Sequence, residues 1–193
     1  MKYSFDITQT YFNKTFWLLM LMMLCAGASE QSVSQWSSTF AEQGLGISKT
    51  AGDLAGPMTF AILMGLTRAL YGKFAEKIDL KKFMLASSTL CIISYLLTSL
   101  TANPLISLFG CALTGLSVGI MWPGTFSTAA ASLRTGGTTM FALLALAGDL
   151  GCSGGPTLVG FITNATTGQL QTGILAAVIF PVLLGICILN QKK

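Results

Sequence analysis

The chain has 193 residues, 52% of them hydrophobic and only 9% charged, with a mean hydropathy of +0.69. A water-soluble domain of that length cannot bury so much apolar side chain, so the composition predicts a multi-pass membrane protein. The formal charge of +4 comes from basic residues in short polar connections, where membrane orientation and anionic lipid account for them and no nucleic-acid partner is needed. Histidine is absent, which excludes imidazole base catalysis, histidine metal ligation and Ser-His or Cys-His nucleophiles.

Cys25, Cys91, Cys111, Cys152 and Cys187 fall in five different apolar segments with no C-x-x-C pair. They are read as small core residues, and neither a metal site nor a cofactor is expected.

Residues 1–13 form a polar tail, and a six-helix transmembrane domain is predicted over 14–190. The first span, about 16–40, is uniformly apolar up to Ala28 and then polar through Ser29, Glu30, Gln31, Ser34, Gln35 and Trp36. Its first half imitates a secretory signal ending in Ala26-Gly27-Ala28, but the helical pattern continues to Phe40, so an uncleaved span is expected. An acidic side chain at mid-membrane costs about 2.5 to 3.5 kcal/mol, which requires Glu30 to face the bundle or water. At 100° per residue Gln31 and Gln35 share one stripe and Glu30 and Ser34 the adjoining one.

The second span, about 49–71, carries Asp53 near its start, Pro57 within it, and Ala61, Gly65 and Ala69 at four-residue spacing, a pattern that lets helices pack closely in lipid. The turn from Tyr71 to Phe83 holds four of the eleven basic residues and two of the seven acids. Placing it inside puts Lys2, Lys14, Arg68, Lys73, Lys77, Lys81, Lys82, Arg134, Lys192 and Lys193 on or near the cytoplasmic side and leaves Lys49 outside. Both termini are therefore expected in the cytoplasm, and the plasma membrane is the expected location.

The third span, about 83–101, is uncharged and expected on the outside of the bundle. The fourth, about 104–131, has Pro104 in its first turn, then Gly110, Gly115 and Gly119, and a bend at Met121-Trp122-Pro123-Gly124. In the fifth, about 138–164, Asp149 lies some eleven residues in, roughly 16 Å deep at 1.5 Å per residue, as a candidate proton-coupling or helix-pairing group. Gly148, Gly151, Gly155, Pro156 and Gly160 make this helix closely packing and bent. The sixth, about 172–190, contains Pro181, and 191–193 is a short basic tail. Ala51-Gly52-Asp53-Leu54 before Pro57 is echoed by Ala147-Gly148-Asp149-Leu150 before Pro156 on a span running the other way, which suggests two inverted three-helix repeats.

These features together resemble the carboxy-terminal half, helices 7 to 12, of a major facilitator superfamily transporter. The turn Gly72-Lys73-Phe74-Ala75-Glu76-Lys77-Ile78-Asp79-Leu80-Lys81-Lys82 resembles the family's loop motif, with Asp79 where a second Gly is usual. The segment Glu30 to Trp36 and the stretches GIMWPG and GDLGCSGGP are similar to the fucose-permease-like sugar transporters. The resemblance implies a secondary active transporter of a small polar solute, such as a sugar or related hydroxylated compound. It would work by alternating access against a second six-helix half, a separate chain or a second copy, with proton coupling. It implies Glu30, Gln31, Gln35, Trp36 and Trp122 as substrate contacts, and no enzymatic role. Two other readings stay open: a non-transporting scaffold or fragment of a split transporter, and an intramembrane aspartyl peptidase in which Asp53 and Asp149 share a water.

Overall fold

The computed structural model describes residues 13–45, 48–133, 136–166 and 168–191. The expectations for the tail before Asn13 and for Lys2, Arg134, Lys192 and Lys193 lie outside the described residues. The helices are α1 (Lys14–Ser34), α2 (Ser37–Leu45), α3 (Lys49–Asp53), a π-helical turn (Leu54–Met58), α4 (Thr59–Phe74), α5 (Leu80–Leu100), α6 (Pro104–Val118), α7 (Met121–Ser132), α8 (Gly137–Ala165), α9 (Leu170–Ala176) and α10 (Ile179–Asn190). They make six helical stretches long and apolar enough to cross a membrane: Lys14–Thr39, Thr50–Phe74, Leu80–Leu100, Leu105–Ser132, Gly137–Ala165 and Leu170–Asn190, hereafter spans 1 to 6.

Local chemistry sets the ends and the bends. Asn13, Asp79 and Asn103 each accept a backbone N–H of the first helical turn, at 2.9, 3.1 and 2.9 Å, so α1, α5 and α6 start with capped donors. Pro57 has no N–H to offer, and the helix widens into the π turn around it. There the Thr59 hydroxyl donates to the carbonyls of Ala55 and Gly56. Pro123 marks the break of span 4 into α6 and α7. Span 1, expected as one helix, is also broken, at Gln35 and Trp36.

The packing repeats itself. Span 1 lies against spans 2, 4, 5 and 6, and span 4 lies against spans 5, 1, 2 and 3; spans 3 and 6 also pack on each other. Exchanging spans 1, 2 and 3 with spans 4, 5 and 6 turns each of these contacts into another of the set, which is the pattern of two inverted three-helix units. Glycines make the two equivalent seams close. A Cβ on Gly151 of span 5 would lie 2.0 Å from the Leu24 carbonyl oxygen of span 1, and one on Gly155 would lie 2.7 Å from that of Ala28. In the other seam, Cβ atoms on Gly115 and Gly119 of span 4 would lie 2.3 and 2.8 Å from the carbonyl oxygens of Phe60 and Met64 of span 2.

Two expectations need correction. Gly65 is not a packing position among the described residues: none of them lies within 4 Å of a Cβ built there, and Ala61 and Ala69 on the same stripe are exposed. Span 3 is not simply peripheral. It turns Ile93, Leu96 and Leu100 outward, but buries Ser87, Ser88, Ser94, Tyr95 and Thr98. Tyr95 donates to the Ser29 carbonyl at 2.7 Å and Ser88 to that of Pro181 at 2.7 Å, so its polar side chains tie span 3 to spans 1 and 6. Span 1 is the most buried, at 61% of its apolar window, and span 2 the least, at 17%. The open side of the bundle therefore runs along span 2.

Candidate functional site

The site begins with the bend in span 4. A helical residue at 123 would donate its N–H to the carbonyl of Gly119, and proline cannot. Arg68 of span 2 takes the vacant place: its Nε donates to the Gly119 carbonyl at 3.2 Å. The preceding Thr67 hydroxyl donates to the Leu116 carbonyl one turn earlier, at 2.7 Å. Two consecutive side chains of span 2 thus satisfy carbonyls at the break in span 4, and Gly119 lets the two backbones approach closely enough to do so.

From that anchor the guanidinium reaches a third span. Arg68 Nη2 lies 3.5 Å from Glu30 Oε2, the Glu30 side chain being 13% exposed and that of Arg68 43% exposed. Glu30 is therefore an interior carboxylate met by a cation that enters from the open side. Its other oxygen accepts from Gln31 Nε2 at 3.4 Å, and Gln31 Oε1 accepts from Gln35 Nε2 at 3.3 Å. The stripes expected from sequence are brought together as one run, Arg68, Glu30, Gln31 and Gln35, ending in exposed Gln35. Chemically this is an asymmetric joint. One partner is a guanidinium and the other a carboxylate that can take up a proton. Neutralising Glu30 removes the ionic tie between spans 1 and 2 and leaves the tie between spans 2 and 4 in place.

The other candidates fall around this run. The Trp36 indole N–H donates to the Pro156 carbonyl at 3.4 Å, and its ring lies against Gly160, so this side chain links spans 1 and 5. The Trp122 ring lies over Gly148, with Phe126 at 6.2 Å between ring centroids and Phe141 beyond it, 5.9 Å from Phe126. Its buried Nε1 has no hydrogen-bond partner among the described residues. Asp149 is exposed on span 5, and its carboxylate makes no hydrogen bond or ion pair among the described residues. Among the described residues it therefore pairs no helix. Asp53 accepts a hydrogen bond from the Ser38 hydroxyl. It sits on span 2, which makes no substantial contact with span 5, so Asp53 and Asp149 do not form a carboxylate pair.

At the charged turn the helices extend further than expected. Gly72 and Lys73 belong to the last turn of α4, and the connection is Ala75 to Asp79. Asp79 has φ −66° and ψ 103°, which any residue adopts, so a glycine has no conformational advantage there. Hydrogen bonding from the Lys82 backbone, helped by the Lys82 charge at 3.7 Å, holds the Asp79 carboxyl below its ordinary value. Lys81 Nζ donates to the carbonyls of Gln191 and Leu189 at 2.8 and 3.3 Å, which fastens the turn to the end of span 6. Glu76 and Lys77 are exposed, and Lys73 lies over the Phe74 ring at 5.5 Å.

Sequence reasoning missed Arg68, which it counted only as an orienting charge. The available signal was its sign: one cation six residues inside the end of an apolar helix, in a chain with an acid buried in another span.

No curated protein matches the chain. The family model described as Major Facilitator Superfamily matches residues 5–156, which include Glu30, Arg68, the charged turn and the bend in span 4. On that match, and with six membrane-capable helices arranged as in one half of that fold, this chain belongs to the Major Facilitator Superfamily, whose members are membrane transporters.

Proposed function

We propose that the chain is one six-helix half of a secondary active transporter, corresponding to helices 7 to 12, with both termini cytoplasmic in the plasma membrane. It moves a small polar solute, a sugar or related hydroxylated compound, by alternating access against a second six-helix unit. The observation that carries this reading is the run from Arg68 through Glu30 and Gln31 to Gln35, which joins hydrogen-bonding groups of span 1 to span 2, the least buried of the spans. Amides and a carboxylate suit hydroxyl groups, and an intramembrane charge pair is a functional site by default. Protonation of Glu30 breaks its ionic tie to Arg68 of span 2, and that is the coupling step of the cycle.

The test is uptake of radiolabelled monosaccharides into vesicles containing the full chain, with and without an inward proton gradient, together with a pH-sensitive dye for proton entry. Gradient-driven uptake that Glu30→Gln uncouples from proton entry supports the reading. Absence of uptake of every sugar, from the chain alone and from the chain with a second six-helix unit, refutes it. A non-transporting scaffold is the second reading. It is favoured by Trp36, which is engaged with Pro156 rather than left open to a solute, and it predicts neither uptake nor proton entry.

A further inference from the structure

The exchange of the two three-helix units leaves one mismatch: spans 5 and 6 pack together, whereas their counterparts, spans 2 and 3, barely touch. Between them is a groove of about 420 Å³, within the roughly 300 to 1,000 Å³ of ligand-holding pockets. Its walls are almost wholly apolar, with Leu70 and Phe74 from span 2, Phe83 and Leu90 from span 3, and Leu116 of span 4 as the floor. Tyr71 and Phe83 stack across its end at 6.1 Å and 7° between planes.

Its polar features are few and placed in order. Ser87 is 6% exposed and lines the groove, and its hydroxyl makes no hydrogen bond among the described residues. At the end nearer the connection, exposed Lys73 and Lys77 adjoin the lining residues Phe74 and Ile78. Lys81 is committed to the end of span 6 and Lys82 to Asp79, but Lys73 and Lys77 form no ion pair among the described residues. Glu76 lies between them in sequence and is the one further acid there. Two cations without an acidic partner at one end, and an apolar trough running inward from them, follow the order of headgroup and acyl chain. A basic pocket between spans is the kind of site that holds anionic lipid headgroups.

We propose that this groove seats one anionic phospholipid, with its phosphate at Lys73 and Lys77 and one acyl chain between spans 2 and 3. The lipid supplies the packing that span 5 gives span 6 directly. The test is native mass spectrometry of the full chain in mild detergent with equal amounts of phosphatidylglycerol and phosphatidylcholine. Wild type retains one phosphatidylglycerol with a several-fold preference. The Lys73→Gln/Lys77→Gln variant, which changes only exposed side chains, loses the preference, Leu70→Trp loses retention of both lipids by filling the trough, and Lys14→Gln changes neither. Equal retention of the two lipids by wild type, or a preference that survives Lys73→Gln/Lys77→Gln, overturns the proposal.

Discussion

The joint between Glu30, Arg68 and Gly119 is testable by a double-mutant cycle of Glu30→Gln, Arg68→Gln and the combined variant. At 3.5 Å two unit charges attract by roughly 1 kcal/mol at the dielectric of water and roughly 5 kcal/mol at an effective value of 20. Arg68 is 43% exposed, so screening moves the pair well below the upper figure. A coupling energy of about 1 to 3 kcal/mol is expected. The two single losses differ, because Arg68 also satisfies the Gly119 carbonyl left vacant by Pro123. Removing that bond adds about 1 kcal/mol, so Arg68→Gln costs more than Glu30→Gln. The assay is reversible unfolding in mixed micelles, followed by tryptophan fluorescence. Additivity within about 0.5 kcal/mol, or a Glu30→Gln loss at least as large as that of Arg68→Gln, would refute the assignment of both bonds to one guanidinium.

Gly151→Ala places a methyl against the backbone of Leu24, which cannot move aside as a side chain does, and costs about 1 to 3 kcal/mol in the same assay, whereas Gly154→Ala, with nothing within 4 Å, is neutral or gains up to about 1 kcal/mol. Tyr95→Phe removes the 2.7 Å bond to the Ser29 carbonyl and lowers stability by about 1 kcal/mol, measured by unfolding midpoint. The Asp79 carboxyl is held below its ordinary value in the folded chain, so its contribution is complete above the unfolded value of about 3.9 and is lost as pH falls below it. As pH falls below that value the wild type therefore loses its margin over Asp79→Asn; a margin unchanged on acidification in thermal unfolding would contradict the cap.

Much of this architecture was legible because a bilayer imposes few solutions. Twenty apolar residues between charged turns announce a helix whatever it packs against, and the small residues of span 5 announced close approach. What could not be read was direction. Ala61, Gly65 and Ala69 have the same spacing as the glycines that do pack, yet they face away from the other spans, because periodicity gives a stripe but not its partner. Trp36 and Trp122 looked like flat surfaces for a solute, and both lie against glycines of span 5. Arg68 was hidden by its position in an apparently orienting cluster. Its role depends on a carbonyl orphaned by a proline on another span, a relation between three segments that no local pattern contains.

The open side of the bundle poses one further question that stability measurements answer. Span 2 exposes Leu54, Met58, Ile62, Leu66 and Leu70, and span 5 exposes Leu146, Leu150 and Phe161. Acyl chains cover such side chains without cost, but not Asp149, which stands exposed between Leu146 and Leu150 with no partner among the described residues. An aspartate presented to hydrocarbon costs about 2.5 to 3.5 kcal/mol, and this is recovered where the side chain meets water or polar groups. If span 5 faced lipid, Asp149→Leu would stabilise the chain by about that amount. If the face lines an aqueous path closed by a second six-helix unit, the substitution brings no such gain in bicelles and abolishes solute movement in vesicles. A gain of 2 kcal/mol or more in bicelles would count against the second unit as decisively as any failed search for it.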